Sequence, residues 1–128
     1  MEFAARDALV DPLDSVDDLE RQMRAISAEM LERIARADDE WLDDPGVPEL
    51  ACEMAARQGI TSSLAAERLR VARALKDLPH IRRAHAEGSL SWDQLRWVTR
   101  FATSETDREW AERAPGMRPD ALRLESRR

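Results

Sequence analysis

The chain has 128 residues, room for one helical core but not two, with 36% charged residues, a net charge of −6 and one cysteine, Cys52. That cysteine count excludes an internal disulfide, and no run approaches the ~18 apolar residues of a membrane span. Four glycines and no asparagine leave little hairpin chemistry, so an all-α fold is expected.

The N-terminus, MEFAARDALVDPLDSVDD, carries acids where a secretory signal begins with bases and an apolar run, so a soluble cytoplasmic protein is expected. Residues 1–14 are expected to be a flexible N-terminus and 15–128 a single helical domain. The first helix is placed over Val16 to Trp41, with Ser15 as N-cap and Asp18 three residues on. Leu19, Met23, Ile26, Met30, Ile34, Ala37 and Trp41 recur every three or four residues and form one apolar stripe. That stripe can dock on the rest of the domain, the default, or on a second copy.

DDPGVPEL, residues 43–50, breaks the helix through Pro45, Gly46 and Pro48. A short helix from about Glu49 to Gln58 follows, turning its Leu50, Met54 and Ala55 inward. Gly59 is its expected C′ residue and Ile60 the plug of the turn. Thr61, Ser62 or Ser63 caps the next helix, which runs to about Leu78 and is stopped by Pro79. HIRRAHAEG forms a short helix closed by Gly88. SLSWDQLRWVTRFAT carries a capping box, Ser91 with Gln94, and a hydrophobic staple, Leu90 with Leu95. Ser104 to Asp107 opens a helix that carries Trp110 and ends at Pro115 and Gly116. A last helix starts at Arg118 and has barely two turns, so the domain reads as truncated at its C-terminal end.

Catalytic chemistry is nearly absent from the residue inventory. His80 and His85 lie five apart, not the four that place two imidazoles on one helical face. No phosphate loop, nucleophile elbow or zinc-protease motif occurs, and no metal, cofactor or small-molecule substrate is expected. The acid pairs Asp38-Asp39 and Asp43-Asp44 read as solvated linker. A non-enzyme follows.

Charge is divided unevenly: residues 1–50 hold 15 acids and 5 bases, residues 51–128 hold 11 acids and 15 bases. Residues 57–83 hold seven bases against Glu67 and Asp77, the kind of asymmetry a nucleic-acid contact takes. Counted from Ala51 into GITSSLAAERLRVARALKDLP, which starts at Gly59, four of five helix-turn-helix positions also fit: Ala55 as the small residue, Gly59 the turn, Ile60 the plug and Ala65 the first anchor. The second anchor falls on Arg68, where an apolar residue is expected. Ser62, Ser63, Arg70, Arg73 and Asp77 lie opposite the apolar arc, and early polar residues followed by arginines three apart are what a major-groove helix presents to base edges and phosphates of duplex DNA. A packed αα-corner with a solvated face produces the same pattern.

Four blocks together, Trp41 to Gly46, Gly59 to Pro79, Gly88 to Gln94 and Ala102 to Trp110, resemble the actinobacterial domain of unknown function 222, the 13E12-repeat family. In that family the domain typically precedes a C-terminal HNH endonuclease domain. The resemblance implies an N-terminal helical module that recognises or positions DNA, without nuclease activity of its own. A second likeness, to the helix-turn-helix of ParB-type partition proteins, implies that the helix from Ser62 to Leu78 enters a major groove, with Thr61, Ser62, Ser63, Arg70 and Arg73 as the candidate DNA contacts. Two alternatives stand beside the DNA reading: an interaction module self-associating through the 16–41 helix as a homodimer, and a truncated family member without independent activity.

Overall fold

The computed structural model describes residues 11–128. Among them the chain is all helical: α1 (Asp14–Glu40), α2 (Leu50–Gln58), α3 (Ser62–Leu75), α4 (Pro79–Ala86), α5 (Trp92–Val98), α6 (Asp107–Arg113), a 3₁₀ turn (Ala114–Gly116) and α7 (Pro119–Glu125). The long N-terminal helix and the following bundle of short helices match the fold expected from the sequence. α3 is the hub, touching α1, α2, α4 and α5, while α4 packs on α6 and α5 on α7.

α1 begins earlier than expected. Asp11 Oδ1 accepts the Leu13 amide at 2.8 Å and its carbonyl accepts Asp14 N at 2.9 Å, so an Asp-Pro turn starts the helix and Ser15 lies inside it. Leu13, not Ser15, is the N-cap residue, without a side-chain cap. Of the flexible segment expected over 1–14, residues 1–10 lie outside the described residues, and Asp11 to Asp14 form this turn and the first helical residue.

The apolar stripe of α1 is used only in part. The buried residues are Ala28, Leu31 and Ile34, a face centred roughly a third of a turn from Leu19, Met23 and Ile26. Those three remain 59%, 63% and 67% exposed. Only the C-terminal end of the stripe, Met30, Ile34, Ala37 and Trp41, packs against the core. The 43–50 break then folds back, Trp41 Nε1 donating to the Pro48 carbonyl at 2.8 Å.

α2 and α3 form a tight pair across the Gly59 turn. Gly59 takes φ +63°, the left-handed conformation glycine adopts at least cost, and Ile60 is half-buried beneath it. Of the three capping candidates Thr61 is the one used, its Oγ1 accepting Leu64 N at 3.1 Å. Ala65 is fully buried. α3 ends at Leu75 rather than Leu78, and its last turn tightens into three-residue bonds, Leu78 N to Leu75 O at 3.1 Å.

The C-terminal half is fastened by polar groups. The capping box of Ser91 and Gln94 forms in both directions, at 2.9 and 3.0 Å. Gln94 Nε2 also reaches the Met117 carbonyl at 2.9 Å, tying α5 to the 3₁₀ turn. Asp107, on the first turn of α6, is buried and accepts the His80 and Ile81 amides at 2.8 and 2.9 Å. It caps α4 from across the fold, satisfying amides left unpaired at any helix start. That helix starts at Asp107, not Ser104, with Thr106 bridging back to Thr103 N at 2.9 Å.

Candidate nucleic-acid interface

α3 reaches the surface along Ser62, Ser63, Ala66 and Arg73, with Arg70 half-buried between Ala66 and Arg73 and Asp77 exposed just past its end. Thr61, Ser62 and Ser63 are exposed at its start, although the Thr61 hydroxyl is engaged as the cap. The two arginines of this wedge are engaged by other parts of the fold. Arg70 Nη2 donates to the Arg96 carbonyl at 2.7 Å and Nη1 to the Thr99 carbonyl at 3.5 Å, closing the C-terminal carbonyls of α5. Arg73 forms a two-pronged pair with Asp38 of α1 at 2.8 and 2.8 Å. The Arg73 hydrogen bond holds the Asp38 carboxyl below its ordinary range, and the same bond raises Arg73.

Asp38, Asp43, Asp44 and Glu49 share a hollow of about 650 Å³ with Ala66, Arg70 and Arg73. Four carboxylates beside this wedge oppose a phosphate backbone. Arg68, expected in the apolar arc, is half-buried and reaches back over the helix pair to Gln58 Oε1 at 3.2 Å. Its guanidinium thus bridges the outer edge of the α2–α3 pair, and Leu69 beside it supplies the buried anchor.

A second basic cluster lies where α3, α5 and α7 meet. Glu67, whose side chain is 10% exposed, accepts Arg70 Nε at 2.7 Å, Arg96 Nε at 3.3 Å and Arg100 Nη2 at 3.0 Å through both oxygens. Burial pushes the Glu67 pKa up, but the hydrogen bonds and charges of Arg70 and Arg100 outweigh it and hold the group at about 2. Trp97 stands half-buried among guanidiniums, with Arg96, Arg100 and Arg123 carbons 4.9, 5.4 and 5.8 Å from its ring centre. Such distances give cation–π attraction.

Among the described residues, Glu67 is the sole carboxylate paired with Arg70, Arg96 or Arg100, and Arg123 has no ion pair. Four guanidiniums against one carboxylate leave a net positive site. Arg96 keeps both terminal nitrogens uncommitted and Arg123 keeps its whole fork. These are donors matched to phosphate oxygens.

Of the five residues expected at the interface, the structure joins only Arg70 to this cluster, as its inner support. Sequence reading missed Glu67, Arg96, Trp97, Arg100 and Arg123. One signal was present, RWVTR, which sets Arg96 and Arg100 four apart on a helical surface around Trp97.

The histidines divide. His85 is buried, its Nδ1 2.8 Å from the Leu90 carbonyl and its Nε2 2.9 Å from Ser27 Oγ. A carbonyl only accepts, so Nδ1 carries the hydrogen and Nε2 accepts the Ser27 hydroxyl. Burial lowers the His85 pKa, keeping the ring neutral. His80 Nδ1 lies 2.9 Å from Asp107 Oδ2, a carboxylate already committed to capping α4. Among the described residues no three His, Cys, Asp or Glu side chains gather as a metal site, and no helix is long and apolar enough to cross a membrane.

A small all-α domain with an arginine–tryptophan surface is the class these features define. The family described as Domain of unknown function (DUF222) matches residues 12–123, and the chain belongs to that family. No curated protein and no solved structure matches it.

Proposed function

We propose that this domain is a non-catalytic helical module that contacts duplex DNA through the Arg96, Trp97, Arg100 and Arg123 surface. The observation that carries this reading is the imbalance around Glu67 and Trp97: three guanidiniums share the Glu67 carboxylate, and Arg123 beside Trp97 has no ion pair among the described residues. Phosphate oxygens are the acceptors that such a surplus of planar donors fits best, and contacts of this kind position a protein without reading sequence. Trp97 adds a flat apolar surface for a sugar or base edge.

The phosphate contacts therefore move away from Arg73, which Asp38 occupies, and from Arg70, which supports the cluster from within. A reading helix in the helix-turn-helix manner has Ser62 and Ser63 still open, and these favour a subsidiary approach of the first turn of α3. In a family whose likeness points to HNH nucleases, such a module holds the duplex while a separate domain cuts it.

Fluorescence anisotropy with a labelled duplex tests this directly. Binding with a Kd of about 10⁻⁴–10⁻⁶ M, largely independent of sequence, is expected. Arg100→Ala with Arg123→Ala weakens it, whereas Ser62→Ala with Ser63→Ala has little effect. Absence of binding at low salt, or equal binding by the arginine variant, removes the reading.

A further inference from the structure

Arg68 occupies the position where the helix pattern calls for an apolar anchor, and neither the core nor the Arg96–Trp97 surface uses it. It is half-buried on the apolar side of α3, one turn after Leu64. Its Nη1 donates to Gln58 Oε1 at 3.2 Å, and no carboxylate among the described residues pairs with it. Nε and Nη2 share one edge of the guanidinium, a two-pronged face that keeps no acceptor among those residues.

This side chain lines a hollow of about 440 Å³ between α1, α3, α4 and α5. Met23 and Met30 of α1, Leu64 of α3 and Trp92 at the start of α5 supply its apolar wall. Thioethers adapt to a flexible apolar body, and a concave apolar site with a few polar groups is the usual form of a small-molecule site. The other polar groups of the hollow are settled among themselves. Glu20 and Arg24 pair at 2.6 Å, and Arg24 Nη1 donates to the Gly88 carbonyl at 2.6 Å. Ser27 and buried His85 satisfy one another at 2.9 Å. Arg68 alone lacks a counter-charge.

We propose that this hollow binds a small organic monocarboxylate with an apolar body, its carboxylate on the Nε–Nη2 edge of Arg68 and its body against Met23, Met30, Leu64 and Trp92. One uncompensated cation matches one negative charge. Glu20 on the same wall works against a second, which favours a carboxylate over a phosphate dianion. A guanidinium edge fits the two oxygens of a carboxylate, and a pair beside apolar walls is screened less than one on an open surface. Such a ligand touches α1, α3 and α5 together and stabilises the fold by mass action. The site shares no residue with Arg96, Trp97, Arg100 or Arg123, so it stands or falls apart from the DNA reading.

Hexanoate is the probe. In an NMR titration of the whole chain it is expected to shift the Met23 and Met30 methyl and Trp92 indole signals, with a Kd on the order of 1 mM. 1-Hexanol, which lacks the charge, and acetate, which lacks the body, bind at least tenfold more weakly, and hexyl phosphate binds more weakly than hexanoate. Arg68→Met removes the charge, keeps an apolar stem and leaves the helical circular-dichroism signal unchanged, yet weakens hexanoate at least tenfold. Met23→Glu, at a 63% exposed position on the rim, weakens it as well, whereas Arg100→Ala on the other surface does not. Absence of shifts in the hollow at about 20 mM hexanoate, binding that Arg68→Met leaves unchanged, or 1-hexanol or hexyl phosphate binding as tightly as hexanoate overturns the inference.

Discussion

Replacing Glu67 by Gln keeps the shape of the side chain and removes the one charge that balances Arg70, Arg96 and Arg100. Held at about 2 against an ordinary 4.5, the carboxylate contributes about 3 kcal/mol to folding when fully ionised. Solvent reaches Arg96 and Arg100, which are 36% and 40% exposed, and screening trims this to about 2 kcal/mol. In a domain of this size that lowers Tm by roughly 5–10 °C.

The pH dependence follows from the direction of the shift. The native state binds its proton more weakly than the unfolded chain, so the stabilisation is complete above about 4.5 and fades as pH falls toward about 2. Urea unfolding of the two proteins should show a gap that roughly halves between pH 5 and pH 3. The proposed duplex affinity is expected to move the other way, tightening a few-fold at low salt because the guanidiniums lose their counter-charge. Equal stability at neutral pH, or a gap that persists unchanged at pH 2, refutes the reasoning.

Asp107→Ala leaves the first amides of α4 without their acceptor in a buried place and is expected to cost about 2–3 kcal/mol by chemical denaturation, with Asp107→Asn costing less. His85 gives a separate acid limb. Its native pKa is depressed, so the unfolded chain takes up a proton first and stability falls as pH drops below about 6.5, a slope that His85→Gln abolishes in urea titrations. Gly88→Ala is expected to cost about 1–2 kcal/mol, read as a lower Tm. Gly88 has φ +89°, and a Cβ there comes 2.5 Å from Arg21 Cγ; the exposed Arg21 can swing aside, but the backbone strain stays.

Local chemistry made much of the fold legible. Ser91 with Gln94, Gly59 with Ile60, and Pro79 at the start of α4 each act within one turn of themselves, so the chain alone specifies them. What the sequence hid depends on distant partners. The spacing of Leu19, Met23 and Ile26 looks like any core stripe, and only the packing of Leu31 shows that the core lies roughly a third of a turn away. Arg70 and Arg73 have the periodicity of an open polar face, yet Arg96 O and Asp38, 26 and 35 residues away, occupy them. Arginine is the residue for which sequence misleads most, since one fork serves equally a phosphate, a helix C-terminus or a carboxylate.

The salt dependence of duplex binding tests the DNA account most directly. Three outward guanidiniums, on Arg96, Arg100 and Arg123, predict that log K falls against log salt with a slope of about −3, and that each Arg→Ala change reduces the slope by about 1. Arg73→Ala should leave the slope unchanged, because Asp38 already neutralises that side chain. A slope near zero, or one that Arg73→Ala reduces and Arg123→Ala does not, contradicts the placement of the interface.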